Sequence, residues 1–154
     1  MSEPRKARTV TAATRRAKEM MVGGLIGGHV VGLTIIGLAL GLGGGGAALT
    51  AALGFAAVVI FYSIGQAIEV VASELEPFQG MGLVMISYGV RVVGIAAGLW
   101  ALLGLPSVAP HVSKGWLLLS VAGTVLAWVI GVVFVASRQH VPVYDREYEP
   151  PPTG

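Results

Sequence analysis

A run of 49 consecutive residues without Asp, Glu, Lys or Arg, between Glu19 and Glu69, constrains this chain more than any other feature. Soluble domains carry about a quarter charged residues to cover their surface, whereas this chain of 154 residues has 12%. A soluble globule cannot bury a run of this length, so the sequence predicts a membrane protein. About 20 apolar residues cross a bilayer as a helix, and the run is therefore long enough for two crossings.

Breaks in the apolar pattern divide the chain into four predicted spans. Four successive glycines at 43–46 split the charge-free run, because glycine destabilises helices and readily forms turns. Charged residues around Pro77 end the second span, and Pro106 and Pro110 follow the third. The sequence predicts an all-α membrane protein with four transmembrane helices arranged as two antiparallel hairpins. The predicted spans are residues 20–42, 47–71, 79–104 and 116–137.

The distribution of positive residues predicts the orientation of these spans. Residues 1–19 carry six Lys or Arg and residues 138–154 carry two, whereas the two loops at the other ends of the helices carry only Lys114. Lys and Arg accumulate in cytoplasmic segments, so both termini are predicted to be cytoplasmic, in the plasma membrane of a bacterium. A cleaved secretory signal is disfavoured, because its apolar core would be only about 7–15 residues long. The tail, residues 138–154, mixes charges with prolines and is predicted to be mostly disordered.

Small residues four apart form candidate helix-packing faces on the first and fourth spans. Such faces let helix backbones approach closely in lipid. The favoured interpretation is packing within this four-helix bundle. The alternative is a docking face for a glycine-rich helix of another membrane protein, or for a second copy of this chain. The residues of the predicted face are Gly24, Gly28, Gly32, Gly123 and Gly131.

Polar residues in the second and third spans form the candidate functional site. Tyr62, Gln66 and Glu69 share one helical stripe, since they are four and three residues apart. Tyr88 and Arg91 lie on the third span at a comparable depth below the connecting turn. A charge within the bilayer costs at least about 2.5 kcal/mol on insertion scales, so it should be paired or functional. An ion pair that fastens the two spans is favoured over a polar track for an ion or a contact for a partner's carboxylate.

No motif of catalytic or cofactor chemistry occurs in the sequence. The chain has no cysteine, and it has no nucleophile triad, phosphate-binding loop or metalloprotease histidine pair. His29 is interpreted as a packing residue rather than a metal ligand, because no second histidine lies at ligand spacing. The acidic turn with Glu74 and Glu76 matches no cation-binding motif. We predict no enzyme activity, no cofactor, no metal and no nucleic-acid binding.

The chain resembles the ATP synthase protein I family of small membrane accessory proteins, in the form found in actinobacteria. The resemblance covers about residues 56–145 and rests on VIFYSIGQ, the turn around Pro77 and GLVMISYGVRVVGI. It continues into a tryptophan-bearing fourth span that ends in ASRQHVPVYD. In this family polar residues occupy the positions of Gln66, Tyr88 and Arg91, and many members have lysine or glutamine in place of the arginine.

The resemblance implies a role beside the F-type ATP synthase. Members of the family are regarded as assembly factors for the ring of subunit c, and a magnesium-transport role has also been proposed. We therefore predict a non-enzymatic assembly or accessory factor that contacts membrane subunits of the synthase, subunit c above all, and the lipid bilayer. The alternative is a small transport component for magnesium or another cation. A structural subunit of another respiratory or transport complex is a third possibility.

Overall fold

The computed structural model describes residues 12–139 and is built almost entirely of helix. Its three α-helices are α1 (Ala12–Ala72), α2 (Pro77–Gly104) and α3 (Lys114–Arg138), with a short 3₁₀ helix at Ala109–His111. All three α-helices are long and apolar enough to cross a membrane. The all-helical class agrees with the sequence prediction, whereas the number and the arrangement of the helices do not.

The prediction of four separate helices is wrong because the glycine cluster does not form a loop. Only Gly44 leaves helical geometry, with φ 79° and ψ −174°, and the helix continues on both sides of it. This backbone conformation is open essentially to glycine alone. The cluster therefore produces a kink of one residue, and the first two predicted spans belong to one helix of 61 residues.

The kink at Gly44 folds α1 back on itself. A straight helix of this length would extend about 90 Å, roughly three times the thickness of the hydrocarbon core. Instead, the ring of His29 lies 5.2 Å from the ring of Phe55, and the hydroxyl oxygens of Thr14 and Ser73 are 3.4 Å apart. We call residues 12–43 the first arm of α1 and residues 45–72 its second arm.

The second predicted hairpin is wrong, because α2 and α3 do not pack against each other. Each of them packs on α1 instead, and no extended interface joins the two within residues 12–139. The α3 helix contacts both arms, since Trp128 lies against the first arm at Gly28 and Ser120 donates a hydrogen bond of 2.6 Å to the Ala51 carbonyl. The connection between α2 and α3 is long enough to let the two helices separate, so contact with α1 decides their positions.

Polar contacts define the two ends of the bundle. At one end Thr14 donates to the Glu74 carboxylate at 3.0 Å, and the Gln139 amide donates to the Arg16 carbonyl at 3.1 Å. We call this the terminal end. At the opposite end the Ser113 amide donates to the Thr50 hydroxyl at 3.3 Å. The predicted basic segment 1–19 is helical from residue 12 onwards, and the predicted disordered tail lies outside the described residues except for its first two.

The interior of the bundle consists mostly of small side chains, and Trp128 is its largest exception. The buried hydrophobic cluster near the kink consists of Ile35, Ala39, Ala47 and Ala51. Large apolar side chains such as Leu42 and Trp100 face outward. Helices in lipid gain little from burying large apolar groups, and close backbone packing by small residues holds them together instead. This distribution is typical of a protein surrounded by lipid.

A buried ion pair between α1 and α2

Glu69 on the second arm and Arg91 on α2 form an ion pair inside the bundle. Arg91 Nη2 lies 2.8 Å from Glu69 Oε1, and the two side chains are only 13% and 28% exposed. The turn before α2 makes it antiparallel to the second arm. Arg91 is about 9 Å deeper along the helix axis than Glu69 at 1.5 Å per residue. The long arginine side chain covers this difference by extending back toward the turn.

Ser87 and Gly65 complete the surroundings of the pair. The fully buried Ser87 hydroxyl lies 2.9 Å from the Gly65 carbonyl oxygen and 3.0 Å from Glu69 Oε1, so it can donate its hydrogen to either. Gly65 leaves room for the arginine, because a Cβ atom there would lie 2.9 Å from Arg91 Cγ. Gly65 was not among the site residues predicted from the sequence. Its position four residues before Glu69, on the same stripe, was the available signal.

Tyr62 connects the ion pair to α3. The guanidinium carbon of Arg91 lies 5.2 Å from the centroid of the Tyr62 ring, within cation–π distance. The same ring meets Trp128 edge-on, at 5.6 Å between centroids and 61° between planes. Trp128 is 1% exposed and was missed as a site residue. The glycines opposite it at helical spacing, Gly24 and Gly28, were the signal for a large buried partner.

The other two residues of the predicted polar cluster, Gln66 and Tyr88, differ in burial. Gln66 is 6% exposed, and its Oε1 has no hydrogen-bond partner among the described residues. Tyr88 is 65% exposed on the outside of the bundle, so it is not part of a buried cluster. Arg91 Nε is likewise buried without a hydrogen bond, and Nη2 contacts Glu69 without the alignment of a hydrogen bond.

The five glycines of the predicted packing face all lie against residues of this same chain. Gly24 and Gly28 face the Trp128 ring, Gly32 faces Phe55, Gly123 faces Ile35 and Gly131 faces the Gly23 backbone. The space beside each is therefore filled within the bundle. Gly37 and Gly41 continue the glycine pattern along the first arm, but a Cβ atom added at either would contact no other described part of the chain within 4 Å.

Two cavities adjoin the ion pair from different sides. A cavity of about 470 Å³ opens at the terminal end and is lined by residues of both arms, α2 and α3, including Gln66 and Glu69. A smaller one of about 280 Å³ lies between α1 and α2 and is lined by Tyr62 and Arg91. The ion pair lies between them and separates the two cavities within the described residues.

The site is an ion pair between two helices that are long and apolar enough to cross a membrane. Residues 12–139 contain no cluster of His, Asp and Glu that could hold a metal ion. His29 directs its Nδ1 to the Leu25 carbonyl oxygen at 2.8 Å. No protein-family model, curated protein or solved structure matches the chain. The resemblance described above therefore stays a prediction.

Proposed function

We propose that the protein is a non-enzymatic accessory or assembly factor that binds a transmembrane helix of another protein along the outer face of α2. The F-type ATP synthase is the proposed complex and subunit c the proposed partner, and both come from the resemblance. A glycine-rich helical hairpin with a membrane carboxylate, as in subunit c, offers a hydrogen-bond acceptor to this face.

The outward position of Tyr88 carries the proposal. Tyr88 lies about 17 Å along α2 from its first residue, at 1.5 Å per residue, which is near the middle of a bilayer. Its hydroxyl forms no hydrogen bond with a described residue, and α2 packs only on one side. A hydroxyl facing hydrocarbon without a partner is unfavourable. A partner helix with an acceptor at this depth would remove that cost.

Photo-crosslinking from position 88 tests the proposal. A photoreactive phenylalanine in place of Tyr88 is expected to capture subunit c in native membranes. The same group in place of Leu118, an equally outward residue of α3, serves as the control and should capture none. Absence of a subunit c adduct at position 88, together with a normal yield of c-rings in a deletion strain, would contradict the proposed function.

The orientation proposed for this factor, with the terminal end in the cytoplasm of a bacterium, is supported by the excess of Lys and Arg at that end. The chain lacks cysteine, so single cysteines can be labelled cleanly. A membrane-impermeant maleimide should label Ser107→Cys in intact cells, but Glu76→Cys only after permeabilisation. The reverse pattern would invert the orientation.

Cation binding is the second candidate function, and Gln66 favours it. The Gln66 side chain lines the same cavity as Glu69, and its buried Oε1 lacks a partner among the described residues. An amide oxygen without a partner, close to a cavity that a carboxylate also lines, suits a cation or an ammonium group. Protein in liposomes should then pass Mg²⁺ or a monovalent cation, and Gln66→Leu should reduce the flux. Absence of flux in the unmodified protein would rule out transport.

A further inference from the structure

We infer that a groove between the first arm of α1 and α3 binds an anionic phospholipid, with an acyl chain in its apolar part and the phosphate at its basic end. This binding site does not depend on the proposed function.

The apolar part of the groove results from close contact between two helix backbones. Gly23 and Gly27 of the first arm meet Gly131 and Ala127 of α3, and a Cβ atom at Gly23 would lie 2.7 Å from the Gly131 carbonyl oxygen. Because the residues at this contact have no side chain or only a methyl group, a groove remains between the larger residues on either side. It has a volume of about 500 Å³ and no polar lining. Its walls include Ile26, Val30, Ile130 and Phe134.

The groove continues toward the terminal end and becomes basic there. A second cavity of about 500 Å³ shares Gly23, Ile26 and Val135 with the first, and Arg15 and Lys18 line it further on. The two cavities are therefore continuous parts of one groove, which has an apolar end and a charged end.

Two cations and one carboxylate line the charged end, and a third cation lies beside a wall of the groove. Arg138 adds to Arg15 and Lys18, since its guanidinium carbon lies 4.1 Å from the ring centroid of Phe134, a wall of the groove. The carboxylate is Glu19, which lies 3.6 Å from Arg15 and accepts a hydrogen bond from Gln139 at 3.2 Å. The net charge of the side chains at this end is positive. It therefore favours a lipid headgroup whose phosphate is not neutralised by an ammonium group.

The spacing of these features matches a phospholipid. Lys18 lies nine residues before Gly27, about 13 Å along the helix axis. The cations are therefore at the level where the apolar surface ends and the headgroups begin. Basic residues at this level attract anionic headgroups by about 1 kcal/mol each. A zwitterionic choline lipid fills the apolar part equally well, but its headgroup is attracted less strongly by the basic residues.

Competitive lipid binding tests the inference. The full chain is purified in detergent, mixed with equal amounts of phosphatidylglycerol and phosphatidylcholine of the same acyl chains, and examined by native mass spectrometry. We expect the singly lipid-bound protein to carry mainly phosphatidylglycerol. Lys18→Gln should lower that preference about fivefold, as the loss of one such cation implies, and Arg138→Gln should act in the same direction. Val30→Trp, which fills the apolar part, should lower the retention of both lipids.

The matched control is Lys114→Gln, at the opposite end of the bundle, which should leave the preference unchanged. Circular dichroism of each variant confirms that it is folded. Equal retention of the two lipids by the unmodified protein would overturn the inference. So would a preference that persists in both Lys18→Gln and Arg138→Gln, or one that Lys114→Gln reduces equally.

Discussion

Glu69 and Arg91 neutralise each other's charge. Without the partner, either charge would be isolated between the helices. Ser87, Gly65 and Tyr62 contact the pair and partly enclose it between the two helices. Removing one member of a buried pair is much more destabilising than replacing both, because the remaining charge loses its partner. The pair is therefore a specific connection between α1 and α2.

Single and double substitutions test this connection. We expect Arg91→Leu to lower the free energy of unfolding in detergent by about 3 kcal/mol. The double variant Glu69→Gln with Arg91→Leu should recover much of the loss. Thermal unfolding followed by circular dichroism measures both. Glu76→Gln, at an exposed position, is the matched control, and a double variant less stable than Arg91→Leu would contradict this account.

At the scale of elements, glycines fix which helices meet. The first arm presents Gly24 and Gly28 to the Trp128 ring of α3, and the second arm presents Gly65 to Arg91 of α2. Large side chains fill the spaces that these glycines leave. The contacts explain why α2 and α3 both pack on α1 rather than on each other.

Two alanine substitutions on the same arm test this packing. At Gly28 a new Cβ would lie 2.9 Å from the Trp128 ring, whereas at Gly37 nothing lies within 4 Å. Gly28→Ala should therefore reduce the stability of the protein by about 1–3 kcal/mol through overpacking. Gly37→Ala should leave it unchanged or raise it slightly, because alanine has the higher helix propensity. Equal effects of the two in thermal unfolding would show that the contact with Trp128 is unimportant.

At the scale of the whole molecule, the kink at Gly44 brings the ends of α1 together. Thr14, in the first turn of the 61-residue helix, and Ser73, directly after its last residue, have hydroxyl oxygens 3.4 Å apart. This proximity places the start of α1, its end and the end of α3 at one end of the bundle.

A disulfide engineered into the cysteine-free chain tests the folded-back arrangement. The pair Thr14→Cys and Ser73→Cys should crosslink under mild oxidation, since the two side chains are already in contact. The pair Thr14→Cys and Thr50→Cys, at opposite ends of the bundle, should not. The bond is detected on a non-reducing gel after proteolytic cleavage between the arms. A crosslinked chain then runs as one band, and an uncrosslinked chain runs as two fragments. Failure of the first pair, or success of the second, would contradict a sharp bend at Gly44.

The sequence by itself determined that the chain is helical, that it contains apolar segments long enough to cross a membrane, and that Glu69 and Arg91 lie within them. Those properties follow from local composition and from the helical repeat, which a chain carries along its length. It did not determine that the glycine cluster is a one-residue kink, because several glycines tolerate either a loop or a helix.

The tertiary structure alone decided how the helices are rotated and paired. Tyr88 and Arg91 are three residues apart, yet Arg91 points to Glu69 and Tyr88 faces outward. Likewise, α2 and α3 adjoin in sequence but pack separately on α1. Rotation and pairing depend on the fit of distant side chains, such as Trp128 against Gly24 and Gly28. Sequence spacing identifies faces of a helix, but only contact between helices selects which faces meet.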